Sequence, residues 1–114
     1  MHFILKNNKK SKKIIYLMKN VNNKKMIELV GRKGFYQILA MIRDNNEIIL
    51  SDLLNIAGSG TIVDRREELL DLGLIKQVNK KIGRKNYIIY KLTPKGEKVL
   101  SLLEELIKTL KEED

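Results

Sequence analysis

The cations between residues 76 and 91 are the side chains whose types and spacing most clearly carry a chemical function. This segment holds six lysines or arginines and no acidic residue. Such a cluster can bind the phosphate oxygens of a polyanion. The alternative is that surface lysines on a hairpin prevent strands of different molecules from pairing at their edges. The absence of any acid favours the polyanion, and the six cations are Lys76, Lys80, Lys81, Arg84, Lys85 and Lys91.

A turn at Gly83 would gather four of these charges at one tip. Residues 75–78 alternate between apolar and polar side chains, and residues 87–92 are mostly β-branched or aromatic, which is typical of strands. The sequence between them, KKIGRKN, is centred on Gly83 and favours a tight turn. We therefore expect a β-hairpin, called here the basic hairpin (residues 76–91), whose tip carries Lys80, Lys81, Arg84 and Lys85.

Polar side chains also mark the beginning of a helix that precedes this hairpin. Thr61 and Asp64 have the Thr-x-x-acid spacing of a capping box, which predicts a helix from about Thr61 to about Leu72. Gly73 then provides a left-handed stop. Ser59 lies in the short glycine turn before the helix and joins the candidate binding residues.

One face of the predicted helix combines residues that can read DNA bases. Spacings of three and four residues put Thr61, Asp64 and Arg65 together. A guanidinium in this position can make a bidentate contact to guanine or meet a phosphate. The alternative is an ordinary solvated helix face, and Glu67 and Glu68 would repel phosphate if they faced it.

The residues needed for catalysis or for metal binding are scarce. His2 is the single histidine, and the chain contains no cysteine. There is no glycine-rich phosphate loop and no regular spacing of metal ligands. We therefore expect no enzyme activity, no metal site and no cofactor. The lack of cysteine also excludes disulfides and thiol-based sensing, and it fits the cytoplasm.

The charge of the chain is concentrated at its N-terminal end. Lysine and arginine outnumber aspartate and glutamate by 23 to 14, a formal charge of +9. Residues 1–33 hold ten of the cations and one acid, so the remaining residues sum to zero. Residues 6–13, KNNKKSKK, predict an arm that either adds phosphate contacts or serves as a solubilising tail. We expect the N-terminal segment to be retained rather than cleaved as a signal peptide.

The other elements must position these groups within one domain, because 114 residues suffice for a single core. Residues 14–18 suit a helix or a short strand equally well. We expect a first core helix at residues 35–43, a strand at residues 47–50 and a helix capped by Ser51. No apolar run approaches the roughly 20 residues that span a bilayer, so we expect no membrane partner.

The last helix has a well-specified start and an unusually wide apolar band. Thr93 followed by Pro94 is the preferred beginning of a helix. The apolar band suggests a helix seam between two copies of the chain, while the alternative is packing within its own domain. The expected seam residues are Val99, Leu103, Leu106 and Leu110.

The order of these elements, together with three short motifs, resembles the winged helix-turn-helix family. The motifs are SDLL at residues 51–54, ELLDLGLI at residues 68–75 and YKLTPKG at residues 90–96. They resemble archaeal and bacterial regulators of the MarR and HxlR type over about residues 34–110. Similar helices carry an apolar residue where this chain has Arg66, so the helix is either rotated or Arg66 lies at its boundary.

The resemblance implies a mostly helical α+β fold and a dimeric transcriptional regulator that binds double-stranded DNA. Together with the charge distribution, it predicts a basic N-terminal extension (1–30), a winged helix-turn-helix domain (31–93) and a dimerisation helix (94–114). Two alternatives stay open: a nucleoid-associated architectural protein with little sequence preference, and a winged-helix subunit that binds other proteins. MarR-like proteins often bind small ligands, but the sequence identifies no effector.

Overall fold

The computed structural model describes residues 23–113, which form four α-helices, one 3₁₀ helix and three strands. In chain order these are α1 (Asn23–Val30), α2 (Phe35–Asn45), β1 (Ile48–Ile49), the 3₁₀ helix (Leu50–Asn55), α3 (Ser59–Asp71), β2 (Ile75–Ile82), β3 (Lys85–Leu92) and α4 (Pro94–Lys111). The predicted mostly helical fold with a β-hairpin is confirmed. Residues 6–13, residues 14–18 and His2 lie outside the described part of the chain.

The core is built around α2, whose apolar residues recur at helical spacing. Phe35, Ile38, Leu39 and Ile42 are all buried, which fixes this helix at the centre of the domain. They pack with buried residues of the other elements: Leu29, Ile48, Leu53, Ile62, Leu69, Leu74, Ile75, Tyr90 and Leu100. Leu29 belongs to α1, so the packed core begins before residue 31.

The three strands form an antiparallel sheet in the order β1-β3-β2. β3 is central because β1 pairs with its C-terminal half, Ile48 opposite Tyr90 and Ile49 opposite Ile89. β2 pairs along the full length of β3, from Ile75 opposite Leu92 to Ile82 opposite Lys85. The inner half of the hairpin is therefore tied to the core, whereas its outer half extends beyond the short β1.

Two predicted helix caps are wrong. Ser51 lies inside a 3₁₀ helix, where Asp52 instead accepts a hydrogen bond from the Ile49 backbone N–H at 3.0 Å. Thr61 lies inside α3, which begins two residues earlier at Ser59 behind an extended Gly58. Gly58 has no side chain to cap the helix, so the capping-box pattern at Thr61 did not mark the start.

The end of α3 and the start of α4 are locked together, which explains two of the sequence motifs. Gly73, with φ of 74°, permits a Schellman motif in which the Leu74 N–H donates to the Leu69 carbonyl at 2.9 Å. The Thr93 hydroxyl donates to the Gly73 carbonyl at 2.5 Å and accepts from the Gly96 N–H at 2.9 Å. Thr93 thus caps α4, as predicted, and also ties it to the end of α3.

Gly96 is required at this junction by the close approach of the backbone. A Cβ atom at Gly96 would lie 1.9 Å from the carbonyl oxygen of Leu74. The helix α4 therefore packs directly against the segment that joins α3 to β2. Within residues 23–113, none of the helices is both long enough and apolar enough to cross a membrane.

Candidate nucleic-acid interface

The basic hairpin forms as predicted and ends in a tight two-residue turn. Ile82 and Lys85 are paired across the strands, so Gly83 and Arg84 alone make the connection. Gly83 has φ of 64°, whereas Arg84 does not have a positive φ, a combination typical of a type II′ turn. The turn matches the twist of the strands, and the continuous register on both sides makes the tip a well-ordered scaffold for its charges.

The cations of the hairpin fall into two groups. Lys80 Nζ lies 2.6 Å from Glu47 Oε2, and Lys91 Nζ lies 3.9 Å from Glu47 Oε1. The hydrogen bond from Lys80 lowers the pKa of the Glu47 carboxyl, so this acid stays charged at neutral pH. Lys81, Arg84 and Lys85 are exposed and make no ion pair with residues 23–113. These three carry the free positive charge of the tip.

Lys80 therefore differs from the other predicted tip residues because it has an acidic partner. It is exposed, but it must exchange its partner Glu47 for a phosphate before it can bind a polyanion. Sequence counting missed this pair because Glu47 lies outside the hairpin. No local pattern in the sequence indicates this pair, because Glu47 comes near the hairpin only when β1 pairs with β3.

The helix α3 turns Arg65 inward, which corrects the predicted binding face. Its buried stripe consists of Ile62, Arg65 and Leu69, at spacings of three and four residues. Arg65 is 8% exposed and is not on the solvent face with Asp64. Ser59 and Asp64 are exposed and Thr61 is half-buried. Thr61, Asp64 and Arg65 do not share one face, because adjacent residues such as Asp64 and Arg65 are separated by about 100° around a helix.

Arg65 is held by an acid and lies against the start of α2. Its Nη1 donates to Glu68 Oε1 at 2.7 Å, and Glu68 Oε2 accepts from Arg32 Nη1 at 2.9 Å. A Cβ atom at Gly34 would lie 3.2 Å from Arg65 Cγ, so the glycine leaves room for this side chain. The group formed by Arg32, Arg65 and Glu68, called here the arginine clamp, joins the α1–α2 loop to α3. No pattern in the sequence predicts this clamp, because Arg32 and Glu68 are 36 residues apart.

Arg66 bridges α3 and the sheet rather than facing solvent. Its Nη1 donates to the hydroxyl of Tyr90 on β3 at 3.4 Å, and the side chain is half-buried. Arg66 lies in the middle of α3 (Ser59–Asp71), so it is not at the boundary of its helix, and its side chain is directed toward the sheet.

The exposed face of α3 consequently lacks a cation. The helix contains four acidic residues and two arginines, and both arginines point toward the protein. Exposed Ser59, Val63 and Asp64 form its outward surface near the N-terminus. Positive charge and helix face are therefore separated: the hairpin tip supplies the charge, and the helix supplies small, neutral and acidic groups.

A groove of about 740 Å³ lies between α2, the base of the hairpin and α4. Its charged lining residues carry both signs. The cations are Arg43, Lys76 and Lys91, and the acids are Glu97 and Glu104. The Arg43 guanidinium lies 2.5 Å from Glu104 Oε1 and holds the pKa of that carboxyl below its usual range. This mixed lining lies apart from the exposed cations of the hairpin tip.

The apolar band of α4 divides into a packed side and an exposed side. Val99 and Leu103 are half-buried and pack against the core of the same chain. Leu106 and Leu110 are 49% and 74% exposed, and Leu102, which was not among the predicted seam residues, is 59% exposed. The structure therefore separates the predicted seam into two residues that stabilise the domain and two that stay free for a partner.

Comparison with solved structures identifies the architecture. The chain superimposes on the transcriptional regulator YodB from B. subtilis with a TM-score of 0.65 and 16% sequence identity, over 75% of this chain and 84% of that one. A MarR-family protein from Porphyromonas gingivalis gives a TM-score of 0.60 and 25% identity, over 79% and 89% of the two chains. The chain has a winged helix-turn-helix fold of the MarR type.

A third MarR protein, from Peptoclostridium difficile, gives a TM-score of 0.58 and 23% identity over 96% of this chain and 76% of that one. No family model and no curated protein matches the sequence. In the nomenclature of the winged-helix fold, α3 takes the position called the recognition helix and the basic hairpin the position called the wing. The three cations free of ion pairs thus lie on the element that this fold projects beside its recognition helix.

Proposed function

We propose that this chain is a transcriptional regulator that binds double-stranded DNA as a homodimer. The observation that carries the proposal is the tip of the basic hairpin, where Lys81, Arg84 and Lys85 are exposed without an acidic partner among residues 23–113. Free cations of this kind favour binding to DNA, because each phosphate that a lysine or arginine neutralises releases counterions from the duplex. Lys80 joins them when it exchanges Glu47 for a phosphate.

The recognition helix contributes through the first turns of α3. Ser59 and Asp64 are exposed there, with Thr61 half-buried between them. A serine hydroxyl can donate to or accept from several bases, and a carboxylate accepts from the N4 amino group of cytosine. Arg65 is not expected to contact DNA, because it is buried in the arginine clamp on the inner side of α3.

The homodimer rests on the exposed apolar side of α4. Leu102, Leu106 and Leu110 follow one another at spacings of four residues and form a stripe along the helix. A second copy of the same stripe would bury these side chains about a two-fold axis. Two hairpins and two recognition helices would then meet two half-sites of one duplex.

A second candidate, an architectural DNA-binding protein, is favoured by the composition of α3. Its exposed face lacks a cation, so the backbone contacts of the hairpin would dominate the affinity. Contacts to phosphate carry no sequence information directly. In that case binding would depend steeply on salt and weakly on sequence.

Selection of bound fragments from random duplexes at physiological salt distinguishes these functions. A reproducible inverted repeat supports the regulator, whereas binding without a preferred sequence supports the architectural protein. The combined variant K81Q/R84Q/K85Q is expected to weaken binding and to reduce the salt slope by roughly 0.9 for each lost phosphate contact. The matched control K24Q/K33Q/K108Q removes the same charge from exposed lysines that lie outside the hairpin and outside the leucine stripe of α4. Equal binding by both variants would contradict a role for the hairpin.

A further inference from the structure

An exposed isoleucine stands at the tip of the hairpin among the cations. Ile82 is the last residue of β2 and precedes the turn at Gly83. Its side chain is 57% exposed, although Ile75 at the other end of the same strand is 3% exposed. Packing of this domain therefore does not account for a large apolar residue at this position.

Positive charge surrounds this apolar side chain. Lys85 is its partner across the strands, and Lys81 and Arg84 lie one and two residues away along the chain. The alternation of side chains in a strand puts Ile82 on the same face as Lys80 and opposite to Lys81. The tip thus presents an apolar centre with cations on both faces of the hairpin.

The chemistry of the tip complements a groove of DNA more closely than it complements a second copy of the chain. A minor groove is about 6 Å wide, with phosphates along both rims, apolar sugar faces along its walls and base acceptors at its floor. Two identical tips would instead bring their cations together, which is repulsive. The two strands are also paired up to the turn, so backbone hydrogen bonding holds the tip in an extended shape that a groove can accept.

We propose that Ile82 is a wedge that enters the minor groove, partly unstacks one base step and bends the duplex. The inference rests on the proposed DNA binding and adds a mechanism to it. Lys81, Arg84 and Lys85 hold the flanking phosphates while the isoleucine contacts the bases. Apolar wedges of this kind bend DNA by roughly 20–90° toward the major groove. Pyrimidine–purine steps such as TA unstack most easily and are the preferred sites.

The test measures bending and affinity with the full chain and defined duplexes. The probes are duplexes of about 30 base pairs, labelled at both ends for energy transfer, with a central TA step or a central GC step. The wild-type chain is expected to shorten the end-to-end distance, most strongly for the TA duplex. Ile82→Ala is expected to abolish most of this shortening and to weaken binding to the TA duplex roughly tenfold.

Two further variants separate the wedge from general effects on the hairpin. Ile88→Ala removes an isoleucine of similar exposure, 48%, from the other face of the same hairpin and is expected to bend DNA like the wild type. Ile82→Leu keeps an apolar wedge and is expected to retain bending. If Ile82→Ala fails to fold, the comparison of Ile82→Leu with the polar variant Ile82→Asn decides the question.

A change in the DNA alone tests whether Ile82 enters the minor groove. Inosine in place of guanosine at the central GC step removes the amino group from the minor groove and leaves the major-groove acceptors of the base in place. This replacement is expected to increase bending by the wild-type chain and to leave Ile82→Ala unchanged. An equal response of the two proteins would contradict insertion of Ile82.

The outcomes of these experiments separate insertion of Ile82 into the DNA from DNA binding by the chain as a whole. Wild-type affinity and bending in Ile82→Ala, with weaker binding by K81Q/R84Q/K85Q, would overturn the wedge and leave DNA binding in place. Failure of the wild-type chain to bind either duplex would overturn the proposed function itself. A change of self-association alone in Ile82→Ala, measured by sedimentation, would show that the tip binds another copy and would also overturn the wedge.

Discussion

Arg65 Nη1 lies 2.7 Å from Glu68 Oε1 one turn along α3, and the two side chains are only 10% and 15% exposed. Arg32 reaches the other oxygen of the same carboxylate from the α1–α2 loop. Two arginines thus share one acid at the inner side of the recognition helix. This arginine clamp fixes how α3 sits on the domain and keeps Arg65 away from the solvent.

Removal of the shared acid is expected to destabilise the domain. Glu68→Ala leaves the largely buried guanidinium of Arg65 without its counter-charge, which costs about 3 kcal/mol of the free energy of unfolding. Arg65→Met removes the buried charge itself and keeps most of the volume, so its cost is expected to be under about 1.5 kcal/mol. Urea denaturation measures both. A larger cost for Arg65→Met than for Glu68→Ala would contradict this view of the clamp.

The junction between α3 and α4 is expected to tolerate no side chain at Gly96. Gly96→Ala places a methyl group 1.9 Å from the Leu74 carbonyl oxygen, so the backbone must move. The expected loss is about 1–3 kcal/mol of unfolding free energy. Gly60→Ala is the matched control, because no atom lies within 4 Å of a Cβ there. Its thermal midpoint is expected to stay the same or rise slightly, and equal destabilisation by both variants would refute the steric explanation.

Asp64, the exposed acid near the start of α3, is expected to weaken binding to DNA of random sequence. Asp64→Asn removes a negative charge from the face that approaches phosphates, so affinity for random duplexes should rise a few-fold. Glu105→Gln removes an exposed acid from α4 and should change affinity less. Fluorescence anisotropy at several salt concentrations measures both. Weaker binding of Asp64→Asn to random DNA would contradict placement of this residue near phosphate.

The ion pair between Arg43 and Glu104 is expected to give α4 a pH-dependent attachment to α2. The Arg43 guanidinium lowers the pKa of the Glu104 carboxyl, and the Tyr36 hydroxyl also donates to it at 3.3 Å. A lowered folded-state pKa means that the contribution to stability is present above the ordinary value of 4.5 and is lost as pH falls below it.

Comparison of the wild-type chain with Glu104→Gln tests this pH dependence. The wild-type chain should have the higher urea midpoint at neutral pH, and the difference should shrink below about pH 4 as the carboxyl is protonated. Because both groups are exposed, the difference is expected to be small. A difference that grows as the pH falls would contradict the assigned sign.

The proposed dimer depends on the exposed stripe of α4. Leu106→Glu places a charge in the centre of that stripe and is expected to produce monomers in sedimentation equilibrium. Leu54→Glu is the matched control, since Leu54 on the 3₁₀ helix is 48% exposed and lies outside the stripe. Dimers that persist in Leu106→Glu would show that α4 does not form the interface.

The sequence alone determined where α3 ends, where α4 begins and where the hairpin turns. Gly73 stops α3, Thr93 with Pro94 starts α4 and Gly83 forms the hairpin turn, as the sequence predicted. Each of these features depends on the preferences of one or two residues for a backbone conformation or a cap. The same holds for the six cations of the hairpin, because a count along the chain needs no contacts.

Contacts between distant residues decided the composition of the binding surface. Arg65 is buried because Glu68 and the loop at Arg32 meet it, and Lys80 is paired because the sheet brings Glu47 near. Thr61 has the pattern of a cap but lies inside α3, since the chain enters the helix at Ser59. Spacing indicates which residues share a helix face, but packing determines which face is buried. For that physical reason the charge of this protein was readable from its sequence, whereas which charged side chains are exposed and free of ion pairs became clear only in three dimensions.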